Sequence, residues 1–126
     1  MNESDLPPLV VRFAERWNGR DLDGLLALYD EAVEMTDPLL ARPIRGRDAL
    51  RSYYREMVFG PYPGARFEVI AAAAEDDEMV LIYRFSDPTG PTPWSTLAAT
   101  SWSLAGGLIT HDRAVWDTRR AAGALA

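Results

Sequence analysis

The stretch EMTDPLLARPIRGRDALRSYYREM, Glu34 to Met57, changes its hydrophobic period partway through and so decides the fold. Up to Asp37 it alternates. Val33, Met35 and Asp37 share one parity and Glu34 and Thr36 the other, the mark of an extended strand. Pro38 then breaks the strand. After Gly46 the apolar positions Leu50, Tyr53, Tyr54, Met57 and Val58 recur as a helical stripe, with Asp48, Arg51, Ser52, Arg55 and Glu56 outside it. GPYPG, residues 60 to 64, stops that helix. Asp37, caught between strand and helix, is either a turn-former or the working group of a buried site.

Upstream the chain reads helical. Ser4 or Asp5 is expected to cap a helix that carries Pro7 and Pro8 in its first turn. Leu9, Val10, Phe13, Ala14 and Trp17 recur along it, and Asn18-Gly19 ends it. Asp21 caps a shorter helix with Leu22, Leu25, Leu26 and Tyr29 on one face. Downstream the chain reads as strands. Phe67 to Ala74 and Met79 to Ser86 form a hairpin around EDDE, DPTGPTP is a long turn, and Trp94 to Leu104 pairs with Leu108 to Thr118 around Gly106-Gly107. The AAGALA tail is expected to fray. Helices first and long strands second predict an α+β fold. The expected form is a cone-like curved sheet, mixed or antiparallel, with three helices from the N-terminal half enclosing a cavity. One domain is expected over residues 1–126.

Composition narrows the function. The net charge is -6, all 13 cations are arginine, and no basic footprint suggests nucleic acid. There is no cysteine, and the one histidine, His111, rules out a histidine-rich metal site. No cofactor or metal motif is present. MNESD opens the chain without an apolar signal segment, and no run approaches the ~20 apolar residues of a membrane span. A soluble cytoplasmic protein is expected.

Several side chains have the right chemistry for a site. If Val33 and Met35 face the core, alternation points Asp37 inward, where burial without a cation raises a carboxyl pKa. The competing reading is an exposed Asp-Pro turn. Tyr29 and Tyr54 sit on apolar stripes, so each either fills the core or donates to a developing oxyanion. In GLITHDRAVWD, Leu108, Thr110, Asp112, Ala114 and Trp116 share one strand face, and Ile109, His111, Arg113 and Val115 the other. Neither face is cleanly apolar. If Trp116 is core, Asp112 points inward as a second acid or base and His111 lies outside. Trp17 and Trp116 read as core, while Trp94 and Trp102 either line the cavity or cover an interface. The arginines at 42, 45, 47, 51 and 55 read as a solvated helix face.

These residues resemble a known family. FAERWNGRDLDGLLALYDEAVEMTDP followed by PIRGRDALRSYYREM, and GLITHDRAVWD near the end, are similar to the nuclear transport factor 2 superfamily over roughly residues 9 to 118. Within it the chain looks like the SnoaL-like group and the ketosteroid isomerases. The resemblance places the isomerases' general base at Asp37 and two of their tyrosines at Tyr29 and Tyr54. Their oxyanion-donating tyrosine is Phe13 here, and its protonated acid partner is replaced by a hydroxyl. A three-residue turn at Gly106-Gly107 puts Thr100 opposite Asp112, and a two-residue turn puts Ser101 there. The SnoaL-like cyclases imply an acidic cavity residue acting on an intramolecular aldol closure, a role located at Asp112. The limonene-epoxide hydrolases' last-strand aspartate falls at Ala114, which argues against epoxide opening.

The expected protein is thus a cofactor-independent acid–base enzyme, cyclase or isomerase in type, acting on a small apolar carbonyl compound. Asp37, Asp112 and Tyr54 are its candidate catalytic groups. Phe13, Trp17, Tyr29, Tyr53, Met57, Thr100, Ser101, Trp102 and Trp116 are its candidate pocket walls. The alternative is a non-catalytic ligand-binding or dimeric interaction module of the same fold. The superfamily is used both ways, and aromatics on the Trp94 strand read as exposed. A homodimer through the outer sheet face is expected, with a small hydrophobic molecule as partner.

Overall fold

The computed structural model describes residues 5–117. Helix α1, Pro8–Asn18, is followed by α2, Leu22–Leu26, then strand β1, Tyr29–Thr36, and the short β2, Ile44–Arg45. Helix α3, Arg47–Tyr53, runs straight into a π-helical stretch, Tyr54–Phe59. Four long strands follow: β3, Arg66–Glu75; β4, Glu78–Asp87; β5, Trp94–Ala105; and β6, Leu108–Trp116. The sheet order is β2-β1-β6-β5-β4-β3, with β1 parallel to β6 and the other neighbours antiparallel. The fold is therefore α+β, a six-stranded mixed sheet that does not close into a barrel.

Local chemistry explains most boundaries. Asp21 caps α2 by accepting from the Gly24 N–H at 3.0 Å. The α1 cap differs from expectation. Pro7 holds that place and, with no side-chain acceptor, makes no capping bond, while Pro8 at the first helical position has no N–H to leave unpaired. Ser4 lies outside the described residues, as do Thr118 and the AAGALA tail. Tyr29 is not on the α2 face. The helix ends at Leu26, and Tyr29 opens β1, wholly buried. Arg42 and Arg45 also leave the expected helix face, for Arg45 is in β2 and Arg42 precedes it.

Alternation along the long strands sorts the two sheet faces. Met79, Leu81 and Tyr83 of β4, and Thr96, Ala98, Thr100 and Trp102 of β5, are buried under the helices. Val80, Ile82 and Leu97 face outward. The β3–β4 turn needs only Asp76 and Asp77, since Glu75 pairs with Glu78. Gly106 and Gly107, at φ 58° and 79°, form the two-residue turn between β5 and β6, a backbone that glycine adopts without strain.

Two side chains tie the helices to the sheet edge. The Asn18 amide donates to the Phe67 carbonyl and its oxygen accepts from the Phe67 N–H, both at 2.8 Å. Arg20 lies over the rings of Trp17 and Phe59. Its guanidinium donates to the carbonyls of Pro63, at 2.7 Å, and Ala65. The GPYPG loop is thereby held against the end of α1. Among the described residues no helix is long and apolar enough to cross a membrane.

Candidate functional site

A β-bulge builds the floor of the site. Beyond the two-residue turn, Leu104 pairs with Ile109, but Ser103 pairs with His111, so Thr110 is the extra residue on β6. The bulge reverses the parity of the strand. Ile109 is buried before it, and Asp112, with Ala114 and Trp116, turns inward after it. Both readings of this strand were therefore half right, each on its own side of Thr110. His111 stays exposed on the outer face.

The bulge also overturns the expected pairing. Trp102, neither Thr100 nor Ser101, stands opposite Asp112. Thr100 still reaches the carboxylate diagonally and donates to Oδ1 at 2.6 Å. Ser101 is on the outer face, where its hydroxyl meets Arg113 at 3.5 Å, so it lines no pocket. Trp102 is wholly buried beneath the site, neither a cavity wall nor an exposed aromatic.

Asp112 is the end of a buried chain of hydroxyls. The Tyr29 hydroxyl donates to its Oδ2 at 2.9 Å. Tyr29 has one proton, so Tyr54, whose hydroxyl lies 2.9 Å away, donates to Tyr29. Burial, the largest effect, raises the Asp112 pKa. The Thr100 and Tyr29 bonds pull it back, and the Asp37 charge raises it further. The Trp102 N–H also favours the ionised carboxylate, although it falls short of hydrogen-bond geometry. Burial likewise pushes Tyr29 and Tyr54 well up, with the Asp112 charge next in importance, so both stay protonated.

Above this chain lies an open-mouthed cavity of about 120 Å³. Phe13, Trp17, Phe67, Phe85, Trp94 and Trp116 give it aromatic walls. Tyr53, the last residue of α3, and Tyr54, Met57 and Val58 of the π-helical stretch complete the wall. Met57 does not join the buried stripe as expected. It is 53% exposed, at the rim. Tyr29, Thr100 and Trp102 form the packed layer behind the wall and do not line it.

Asp37 makes the expected turn and also reaches the cavity wall. It follows β1 directly and is half-buried. Its Oδ1 accepts from the Leu39 N–H at 2.9 Å, forming the Asp-Pro turn. Its Oδ2 accepts from the Trp116 indole at 3.2 Å, and the residue lines the cavity. Among the described residues, two carboxylates and no arginine or histidine line one aromatic hollow. Among the described residues no group of three His, Cys, Asp or Glu side chains could hold a metal ion.

Sequence reasoning missed Tyr83 and Arg47. Tyr83 stacks on Phe67 with ring centres 4.2 Å apart and lines the cavity. The alternation of β4, Met79, Leu81, Tyr83, was the signal that could have found it. Arg47, read as solvated, donates to the Tyr29 carbonyl at 2.6 Å and anchors α3 to β1.

Comparison with known proteins agrees with this architecture. No curated protein matches the sequence. TerC, co-crystallised with polyporic acid, superposes with TM-score 0.82 at 18% identity, covering 93% of this chain and 95% of its own. A Catenulispora acidiphila protein with a ketosteroid isomerase-like fold, in complex with trimethylamine, gives 0.79 at 18% identity over 90% and 88%. A polyketide cyclase candidate from Sinorhizobium meliloti gives 0.71 at 15% identity over 91% and 100%. Residues 10–112 match the model of the SnoaL-like domain. The chain belongs to the SnoaL-like domain family.

Proposed function

We propose that the chain is a cofactor-independent acid–base enzyme of the isomerase or cyclase type, acting on a small, largely apolar carbonyl compound, with Asp112 carrying the proton. One observation carries this reading: a buried carboxyl, its pKa raised by desolvation, faces an aromatic cavity. Such a group takes and returns protons closer to neutrality than an exposed aspartate does. Ionised Asp112 removes a proton from the carbon beside the carbonyl and leaves an enolate. In an isomerisation Asp112 returns that proton to another carbon. In a cyclisation the enolate carbon attacks a second carbonyl of the same molecule, and the proton goes to the new alkoxide. Tyr29 and Thr100 position the carboxylate, and Tyr54 acts through Tyr29. The neighbours named as a polyketide cyclase candidate and as ketosteroid isomerase-like support the same class.

Deuterium uptake at the methyl group of acetophenone, followed by NMR in D2O, tests the reading. Wild type should accelerate exchange and Asp112→Asn should not. Equal exchange in both, or none above background with wild type, would end it.

The outer sheet face favours the further reading that the enzyme works as a homodimer. Val80, Ile82, Leu97 and Val115 are exposed on adjacent strands, and Val115 is 68% open. Light scattering should return twice the chain mass, falling to one chain mass in Leu97→Asp. A wild-type monomer at micromolar concentration would remove this part.

A further inference from the structure

The proton count around the cavity leaves a gap. Tyr54 spends its proton on Tyr29, Tyr29 and Thr100 spend theirs on Asp112, and the Trp116 N–H goes to Asp37. None of these is left to bind a substrate oxygen, Tyr54 included. Three phenols on the wall remain, those of Tyr53, Tyr62 and Tyr83. Neither the Tyr53 nor the Tyr83 hydroxyl is taken by a hydrogen bond among the described residues, and neither is sealed from the cavity space. Tyr83 is buried as a residue, yet its hydroxyl is unclaimed. Such a group costs free energy unless something in the hollow accepts from it.

We propose that Tyr83 and Tyr53, both on the cavity wall, donate the hydrogen bonds that hold the substrate's carbonyl oxygen, and that the substrate is an uncharged, enolisable ketone on a flat apolar body. A carbonyl oxygen has two lone pairs and accepts from both phenols. Both rings lie in the field of Asp112 and Asp37 together, Tyr83 more strongly in that of Asp112 and Tyr53 in that of Asp37. Burial holds both phenols well above their ordinary range, so they remain protonated donors. Tyr62, also on the wall, is half-buried on the loop after the helix, and we assign it no such role. Among the described residues the wall carries no cation, and stabilisation of an enolate by its neutral donors suits a ketone whose own conjugation spreads the charge.

This assignment deepens the acid–base reading, but its test does not depend on turnover. The probe is acetophenone carrying a ¹³C carbonyl, whose C=O stretch is recorded bound to the intact protein. In wild type the stretch should fall below its value in hexane. In Tyr83→Phe most of that shift should vanish, and the exchange rate should drop about 100-fold, the usual loss for one oxyanion donor. The phenyl ring keeps the Phe67 stack, so the variant should fold; Tyr53→Phe serves as a second, smaller deletion. An unchanged shift in the double Tyr53→Phe/Tyr83→Phe variant, or no binding of acetophenone to wild type at millimolar concentration, would overturn the proposal. Asp112→Asn should keep the shift while losing exchange. A shift that Tyr83→Phe removes, in a wild type without exchange, would leave this assignment standing and the acid–base reading refuted.

Discussion

The Tyr29 hydroxyl donates to Asp112 Oδ2 at 2.9 Å, joining the first residue of β1 to the inward turn of β6 just past its bulge. This bond favours the ionised carboxylate against the burial that disfavours it. Tyr29→Phe removes it and also strips Tyr54 of its acceptor. The Asp112 pKa should rise further, and the pH at which exchange activity switches on should rise with it. An orphaned buried hydroxyl adds a stability loss of about 1–3 kcal/mol. A pH–rate profile and a denaturant titration check the two effects separately. An acid limb unmoved in Tyr29→Phe would show that the bond does not tune Asp112.

Asp112 also links stability to pH. Its carboxyl is raised in the folded chain from the value of 3.8. The native state therefore holds more protons than the unfolded state as pH climbs past that point, so stability falls with rising pH. The contribution is fully present below the unfolded value and is lost as pH passes the folded one. Asp112→Asn removes the titration. The variant should be more stable than wild type near neutrality and should show a flatter stability–pH curve, measured by chemical denaturation between pH 4 and 8. Parallel curves for the two proteins would contradict the burial argument.

Ligand charge should matter. Among the described residues two carboxylates and no cation line the cavity, so a ligand that brings a carboxylate meets like charge. Benzoate should bind at least ~10-fold more weakly than acetophenone, a difference of about 1.4 kcal/mol. Asp37→Asn should narrow the gap. Fluorescence of Trp17, Trp94 and Trp116, all on the wall, gives the readout.

Asn18 should matter to the cavity although it lies outside it. Its amide bonds both backbone groups of Phe67, a wall residue. Asn18→Ala leaves that N–H and carbonyl without their partner and should cost about 2 kcal/mol. Acetophenone affinity should fall with it as the Phe67–Tyr83 stack loosens. A loss within 0.5 kcal/mol, about the effect of an ordinary surface change, would mean the strand edge is held by other contacts.

Much of this was legible in the linear chain because it depends on local rules. Helical spacing in α1 and α3, the Asp21 cap, the glycine turn at 106–107 and the alternation of β4 and β5 need no distant partner. The inward lean of Val33 and Met35 followed from parity alone, and it carried Asp37 to the cavity wall. The fold class followed from the order of these elements.

Tertiary packing decided the rest. A bulge is a mismatch between two strands, so no count along β6 could place it at Thr110, and the direction of Asp112 hung on it. Whether Tyr29 closes a helix or opens a strand was settled by pairing with β6. Which phenols stay free was settled last, since a hydroxyl has one proton and only the folded neighbourhood determines where it goes. Periodicity tells a side chain which face to take; the partner strand and the proton count tell it what it can do there.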